Sequence, residues 1–563
     1  MIQKVCDTIS KTETANIVYT KDLKGNENLK KYKQVISVET ELSLNDGLRV
    51  IQLYVVVKEP ISVYLPKIYI DEYSYEDIKY IPHINEDLSI CIIDENSNFL
   101  IEEDKYAEFI IELLGDAKKI IRGIDDVEYI NKEFEREFQA YWDIAYSKRD
   151  KTKVLGLSLI NVEGFNSLKG IRFIDKFSAY DFLVYNDEDK FQLFDKYLKI
   201  KQIKYVEIEV FQIDYKNVIP PFGFSLKHSV DLSTKNEEFR KRINKLSHND
   251  FIVVFKNNYN ELFGWRYPFV NKRANGYRMK KNWQYLHSEL AQNNNVERIS
   301  FSNISPKRLD FRTSGKEVER SIKIGIVGLG SVGSNLLFYL LKYPISDFCL
   351  IDPDILKVEN VFRNKFGFNY INNPKVNIAK YEILSKNPFT NVLSFNRDVI
   401  DVFKSDPTVL EQFDYRFIIV GISRIEEYIL KHLIDIESTK PIVLIWVEPY
   451  LASGQLVFLQ PEDFEKGKDL LKNYPYHILK SGKDLSMREG SCQTGYMPYS
   501  DLYLNMFLST INNILYKIIL KDEVNKSTIF TWIGDIDYIK NINLELVREY
   551  TLKDSFKIIE NGI

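Results

Sequence analysis

Cysteine is scarce in this 563-residue chain and never clustered. The four cysteines, Cys6, Cys91, Cys349 and Cys492, are far apart and form no C-x-x-C. Neither a disulfide framework nor an all-cysteine zinc site follows from such spacing, and a reducing compartment is implied. Histidine is sparse as well, with six residues, and His228, His248 and His287 stand at no ligand spacing. Long apolar runs are missing. "DFIVVF", "FIIV" and "IVLIWV" are of strand length, far from the roughly 20 residues a membrane helix needs. The first residues, "MIQKVCDTISKTETAN", lack the apolar core of a signal peptide. There is no excess of positive charge either. The formal net charge is −4, so no overall basic field draws the chain to nucleic acid. The basic run at 271–281 reads as a solvated loop. A soluble, cytoplasmic protein is expected, with no membrane and no direct nucleic-acid contact.

What is present is ordinary globular composition, 45% hydrophobic and 28% charged, with neither repeats nor low-complexity tracts. The length predicts two to four domains. Residues 1–148 read as strands followed by helix. "VISVETELSL", "LRVIQLYVVV" and "SVYLPKIYI" alternate as antiparallel strands do. Helical patterns follow at 103–124 and 127–147. Residues 149–317 read as a small α/β connector, with strands in "KVLGLSLI", "YVEIEVFQI" and "DFIVVF" and a helix near "NWQYLHSELAQ". Residues 318–563 alternate in the doubly wound manner. Strands are expected at 322–327, 347–352, 416–420 and 441–447, and helices at 333–342, 375–386, 424–436 and 501–518.

The stretch "IGIVGLGSVGSNLLFYLL" carries the chemistry. An apolar strand runs into Gly328-x-Gly330-x-x-Gly333 and then a helix. Such a turn lets phosphate approach the backbone and places a helix N-terminus beneath it. Asp352 ends the next strand, about twenty residues on, where an acid holds ribose hydroxyls. A tight strand–helix corner that binds nothing would share the glycines, but not the acid. Asp354, Asn360, Arg363 and Lys375 follow. A nicotinamide dinucleotide leaves Arg363 and Lys375 without work. A triphosphate needs them, to hold phosphates and stabilise departing pyrophosphate.

The segment D-x-D-x(5)-N-x-x-R, then P-K and "AKYEILSKNP", resembles the adenylation domain of ubiquitin-activating enzymes and their bacterial ThiF-type relatives that adenylate sulfur carriers. The resemblance implies ATP and Mg2+ as cofactors. It implies Gly328, Gly330 and Gly333 against the nucleotide, Asp352 at the ribose, and Asn360, Arg363 and Lys375 at the phosphates, with Asp354 inside the matched motif. One position departs: "FIIVGISRIEEY" has Ser423 where the family has an aspartate near magnesium, and Glu426 is a substitute. The family also borrows an arginine from a second subunit, and Arg308 and Arg312 are candidates.

The cysteines divide. Cys349, in "DFCLID", reads as core, and Cys6, near a chain end, as idle. Cys492 follows a polar loop and precedes a helix expected near Ser500. A thiol beside a helix start and Arg488 ionises more readily than a free one. Its place after the adenylation core resembles that of the activating enzymes' catalytic cysteine. Cys91, in "YIPHINEDLSICIIDEN", lies in a stretch similar to the active-site segment of ubiquitin-conjugating enzymes. His83 and Asn85 keep two positions of that family's His-Pro-Asn. The order conjugating-like domain, connector, activating-like domain resembles the bacterial fusion proteins of antiphage cyclic-nucleotide signalling systems (CBASS). That resemblance implies a protein substrate with a free C-terminus, namely a cyclic-nucleotide synthase, a target amine and a homodimer. The implied route is adenylation of the tail, a thioester on Cys492, a thioester on Cys91, and transfer to the amine. Alternatives are an adenylyltransferase for a sulfur carrier, a nucleotide-binding scaffold without chemistry, and a nicotinamide-dependent dehydrogenase.

Overall fold

The computed structural model describes the chain apart from residues 1, 25, 62, 79–80, 94–100, 144–153, 161–166, 215–223, 247–249, 268–281, 288–295, 481–484, 486 and 489–494. Two compact units result. The first comprises Met1–Asn186 and Lys204–Ile304, the second Asp187–Ile203 and Ser305–Ile563.

The first unit opens with helix α1 (Ile2–Ile9) and a four-stranded antiparallel meander, β1 (Thr14–Tyr19), β2 (Gln34–Leu44), β3 (Gly47–Val56) and β4 (Lys67–Ile70). Alternation along β2 sends Ile36, Val38 and Leu42 to one face. There they meet Val5 and Ile9 of α1 and the apolar stripe of a later helix. A short helix, α2 (Glu72–Asp77), is capped by Asp71, whose carboxylate accepts the Tyr73 and Ser74 amides. Helix α3 (Tyr106–Arg122) buries Ile110, Leu114 and Ile121 in the same core. The expected single helix over 127–147 is two: α4 (Val127–Arg136) and α5 (Phe138–Asp143). Glu137 sits at the break, outside helical geometry at ψ 24°. The expected strand "SVYLPKIYI" forms only over its last four residues, after the Pro66 that bars an earlier start.

The connector closes on itself as a seven-stranded barrel, which periodicity did not announce. Its strands are β5 (Val154–Leu159), β6 (Lys169–Phe177), β7 (Tyr180–Tyr185), β8 (Tyr205–Ile213), β9 (Phe251–Lys256), β10 (Leu262–Arg266) and β11 (Glu297–Asn303), in the order β10-β11-β5-β7-β6-β8-β9. Between β7 and β8 the chain forms α6 (Glu188–Ile200), which belongs to the second unit; Phe194 stacks there on Phe389. Helices α7 (Leu226–Ser233), α8 (Glu237–Arg242) and α9 (Asn282–Leu286) cover one flank of the barrel. Helix α5 drives Phe138 and Trp142 into the same aromatic core, and the Trp142 indole donates to the Ile299 carbonyl at 3.1 Å. Of the helices after the meander, α5 is thus part of the barrel's packing.

The second unit is built on an eight-stranded sheet. After α10 (Pro306–Ser314) come β12 (Ile322–Val327), α11 (Ser331–Leu340), β13 (Ile345–Ile351), α12 (Lys375–Lys386), β14 (Asn391–Phe395), α13 (Val399–Ser405), β15 (Tyr415–Ile418), α14 (Ser423–Asp435) and β16 (Ile442–Val447). These five strands are parallel, in the order β14-β13-β12-β15-β16. The order reverses at β12, so the crevice for a ligand lies beyond the carboxyl ends of β12 and β15. Three antiparallel strands extend the sheet: β17 (Ser453–Leu459), β20 (Thr528–Ile533) and β21 (Ile558–Gly562). Between them lie α15 (Phe464–Lys472), the two-residue strands β18 (Met487–Arg488) and β19 (Gly495–Tyr496), α16 (Asp501–Ile519) and α17 (Ile536–Asn541). Among the described residues no helix is long and apolar enough to cross a membrane.

Candidate functional site

Two of the three glycines of the turn are fixed by backbone packing. Gly328 adopts φ +99°, and a Cβ there would lie 2.5 Å from the Ile419 carbonyl oxygen. A Cβ on Gly333 would lie 2.0 Å from the Gly328 carbonyl oxygen. Helix α11 can start against β12 only because both are glycine. Gly330 differs: a Cβ would meet nothing within 4 Å, so its surface is left open for a ligand to approach.

Asp352 is buried, at 5% exposure, and organises the turn. Its carboxylate accepts the Leu329 amide at 2.6 Å and the Asp354 amide at 2.8 Å. Burial pushes its acidity to a higher pH than usual, against the opposing charge of Lys375 and these two amides. Lys375 is buried too, and its ammonium reaches Asp354 at 2.7 Å. The backbone sets this pair: the Lys375 amide donates to the Asp354 carbonyl, and Ile355 bridges Pro374. Asn360 caps the turn before it, accepting the Lys357 amide at 3.2 Å. The Arg363 carbonyl accepts from the Ser331 hydroxyl and, at 3.1 Å, from Asn335, while the Lys365 amide donates to Ser334. Asn364, which sequence reasoning missed, is buried and donates to the Leu329 carbonyl at 3.3 Å. The Arg363 loop is thereby stitched to the first turn of α11. Arg308 and Arg312 lie on α10, a helix with no buried residue.

On the other side of β12 a cleft of about 330 Å³ opens. Gly330, Ser331, Gly421, Ser423, Glu426, Trp446, Tyr474, His477 and Tyr499 are among its walls. Of the residues expected at the nucleotide, Gly330 alone lines this cleft; Ser423, at the place of the missing aspartate, and its proposed substitute Glu426 line it too. Glu426 is buried and accepts the Gly421 amide at 2.9 Å, and burial pushes its carboxyl up to about 7. His477 was not foreseen. Its Nδ1 lies 2.8 Å from buried Glu448, whose carboxylate also takes the Ile478 and Leu479 amides at 3.2 Å. The hydrogen bond to Glu448 raises the imidazole's proton affinity above the ordinary value.

In the first unit Cys91 is exposed and lines a second cleft, of about 210 Å³, with Asn85, Ser89, Lys67, Ile93 and Leu113. The Cys91 amide donates to the His83 carbonyl at 2.7 Å, closing the turn. Asn85 donates to the Ser89 hydroxyl at 2.9 Å. The His83 ring turns to α4 and the break behind it, 3.4 Å from Glu133 and 3.2 Å from Glu137. His83 takes φ +67°, a conformation that this clamp holds against its cost. The Tyr141 hydroxyl receives the His83 amide and donates to Glu137 at 3.0 Å.

Cys492 lies outside the described residues, as do His248 and the basic run 271–281. The residues that bracket Cys492 pair as a ladder, Met487 with Tyr496 and Arg488 with Gly495. Helix α16 begins at Asp501 with Ser500 as its cap, accepting the Leu502 amide at 3.2 Å. Among the described residues no three His, Cys, Asp or Glu gather as a metal site.

Two families match parts of the chain. Residues 19–150 match Prokaryotic E2 family B, and residues 304–466 match the ThiF family. A probable molybdopterin-synthase adenylyltransferase of Porphyra purpurea is 36% identical over 87 residues, 15% of this chain and 23% of that protein's length. The chain therefore spans about a quarter of that curated relative. A crystal structure of PaaA aligns over 43% of this chain and 64% of its own, at 16% identity and TM-score 0.29. A crystal structure of E. coli MccB with MccA-N7isoASN aligns over the same shares at 14% identity and TM-score 0.28.

Proposed function

From a chain that joins a Prokaryotic E2 family B segment to a ThiF segment, we propose an ATP-dependent conjugating enzyme. It adenylates a protein C-terminus and passes the acyl group through two cysteines to an amine. The observation that carries this reading is the pairing in one sequence of an exposed cysteine in the first segment with the glycine turn and Lys375 in the second.

In the first step a carboxylate oxygen of the tail attacks the α-phosphorus of ATP and pyrophosphate leaves. The amides at the start of α11 face the phosphates across open Gly330. Lys375, and Arg363 on its stitched loop, are the cations for the departing pyrophosphate. Lys375 would leave Asp354, or bridge it to phosphate. Magnesium would take its oxygen donors either from Asp354 on the β13 flank or from Ser423 and Glu426 on the cleft flank, and when bound it would neutralise triphosphate charge. Next the Cys492 thiolate attacks the acyl carbonyl and AMP leaves. Cys91 then displaces Cys492, and the amine finally displaces Cys91, so each carbonyl stays activated until the amide forms. Asn85, beside Cys91, has a second amide hydrogen to offer an oxyanion.

The proposed partner is a cyclic-nucleotide synthase offering its C-terminus, and the proposed enzyme acts as a homodimer in the cytoplasm. The test is a non-reducing gel of full-length protein with ATP, magnesium and that synthase. Thiol-sensitive adducts should form, and C91A should stall the acyl group on Cys492. An adenylyltransferase serving only a sulfur carrier predicts product unchanged by C91A. A scaffold without chemistry predicts no ATP–pyrophosphate exchange.

A further inference from the structure

The crevice has two sides. Asp352, Asp354, Asn360, Arg363 and Lys375 follow β13, on one flank of β12, whereas the cleft is walled by the ends of β15 and β16 on the other. The two share the start of α11 at Gly330 and Ser331. A nucleotide with its ribose at Asp352 and its phosphates over that helix start therefore leaves the cleft for the second reactant. Under the adenylation reading, on which this inference rests, that reactant is a peptide ending in a free carboxylate. It must approach a triphosphate of like charge, so a cation on the cleft wall has a definite task.

We propose that His477 receives this carboxylate, with Glu448 as the positioning residue behind it. Glu448 is 5% exposed and spends its oxygens on the His477 ring and two consecutive backbone amides. The ring is thereby fixed through Nδ1, and the side chain remains half exposed on the cleft wall. Among the described residues Nε2 has no protein partner. The cleft's other cation, Lys472 of α15, is engaged by Glu427 at 3.5 Å and Asp469 at 3.7 Å. The remaining titratable groups facing the cleft are Glu426 of α14, Tyr474 and Tyr499. The Tyr474 hydroxyl is committed to Gln455 at 2.6 Å. Lys472 is thus held between two carboxylates, whereas among the described residues His477 keeps Nε2 clear of any protein partner. Pairing ends when the carboxylate becomes the mixed anhydride of the acyl-adenylate, so His477 governs capture of the tail more than the chemical step.

The test uses full-length protein carrying 13C-labelled histidine. With six histidines in the chain, H477Q assigns the signal. The probe is acetyl-diglycine, which presents a free carboxylate, against its C-terminal amide, each with a non-hydrolysable ATP analogue bound. The carboxylate should raise the His477 titration midpoint by about one pH unit; the amide should not. E448Q should lower the midpoint and shrink the response. H477K, which keeps a cation, should retain binding of acetyl-diglycine where H477Q loses about tenfold. A midpoint indifferent to carboxylate, or equal binding by H477Q, overturns the inference. Binding of the ATP analogue is read separately by calorimetry, and its failure would overturn the adenylation reading instead.

Discussion

Gly333 and Gly330 stand three residues apart in one turn, yet alanine should affect them in opposite ways. A Cβ at Gly333 would lie 2.0 Å from the Gly328 carbonyl oxygen and 3.0 Å from its carbon. That neighbour is backbone, so no rotamer change relieves it. Helix propensity favours alanine by about 1 kcal/mol, whereas overpacking costs roughly 1–3 kcal/mol and occasionally more. A contact this short belongs at the upper end, so G333A should lose about 2 kcal/mol net. For a unit of this size that is about 4–8 °C in melting temperature. At Gly330 φ is −64°, an ordinary value, and nothing stands within 4 Å. G330A should melt within about 0.5 kcal/mol of the parent. Its new methyl group enters the space left for phosphate, so ATP affinity should fall about tenfold or more, at least 1.4 kcal/mol. Calorimetric melting and ATP titration of both variants check this. A G333A protein melting with the parent, or a G330A protein binding ATP as the parent does, would refute the reasoning.

Three further outcomes are expected. Folded Glu426 keeps its proton to about 7, against 4.5 when unfolded, so the folded state binds more protons between those values and loses stability as pH rises through them. E426Q should abolish that slope, worth on the order of 3 kcal/mol; parallel melting profiles from about pH 4.5 to 8 would contradict it. The hydrogen bond to Glu137 chiefly raises the proton affinity of His83, so the stabilisation from that pairing is complete below its unfolded value and is lost as pH rises through the higher folded one. E137Q should therefore loosen the Cys91 turn most in mild acid, seen as faster exchange of the Cys91 amide, and the difference should shrink in alkali. W142A should cost about 3–5 kcal/mol, since the indole is 2% exposed inside the barrel's aromatic core; a loss under about 1 kcal/mol in urea unfolding would show that α5 is dispensable to the barrel.

The doubly wound core was legible because its signals are local. β12 and α12 fall where expected, over Ile322–Val327 and Lys375–Lys386. Helix α11 starts two residues early, at Ser331, because the turn already supplies helical geometry before Gly333. The barrel was not legible. Its strands β9 and β5 are buried almost throughout, so they show no alternation, and closure depends on pairings between distant segments such as β11 with β5. Nor does periodicity reveal that Phe138 and Trp142 serve the barrel. His477 was missed for a similar reason: its meaning comes from Glu448, just after the end of β16, and no spacing along the chain joins them.

The central claim is that a tail carboxylate attacks the α-phosphate of ATP in this crevice. Attack on phosphorus transfers one carboxylate oxygen to the AMP that later leaves. Full-length protein, ATP, magnesium and a synthase tail labelled with 18O at its carboxylate should release AMP bearing one heavy oxygen. Unlabelled AMP, or release of ADP instead, would contradict the account.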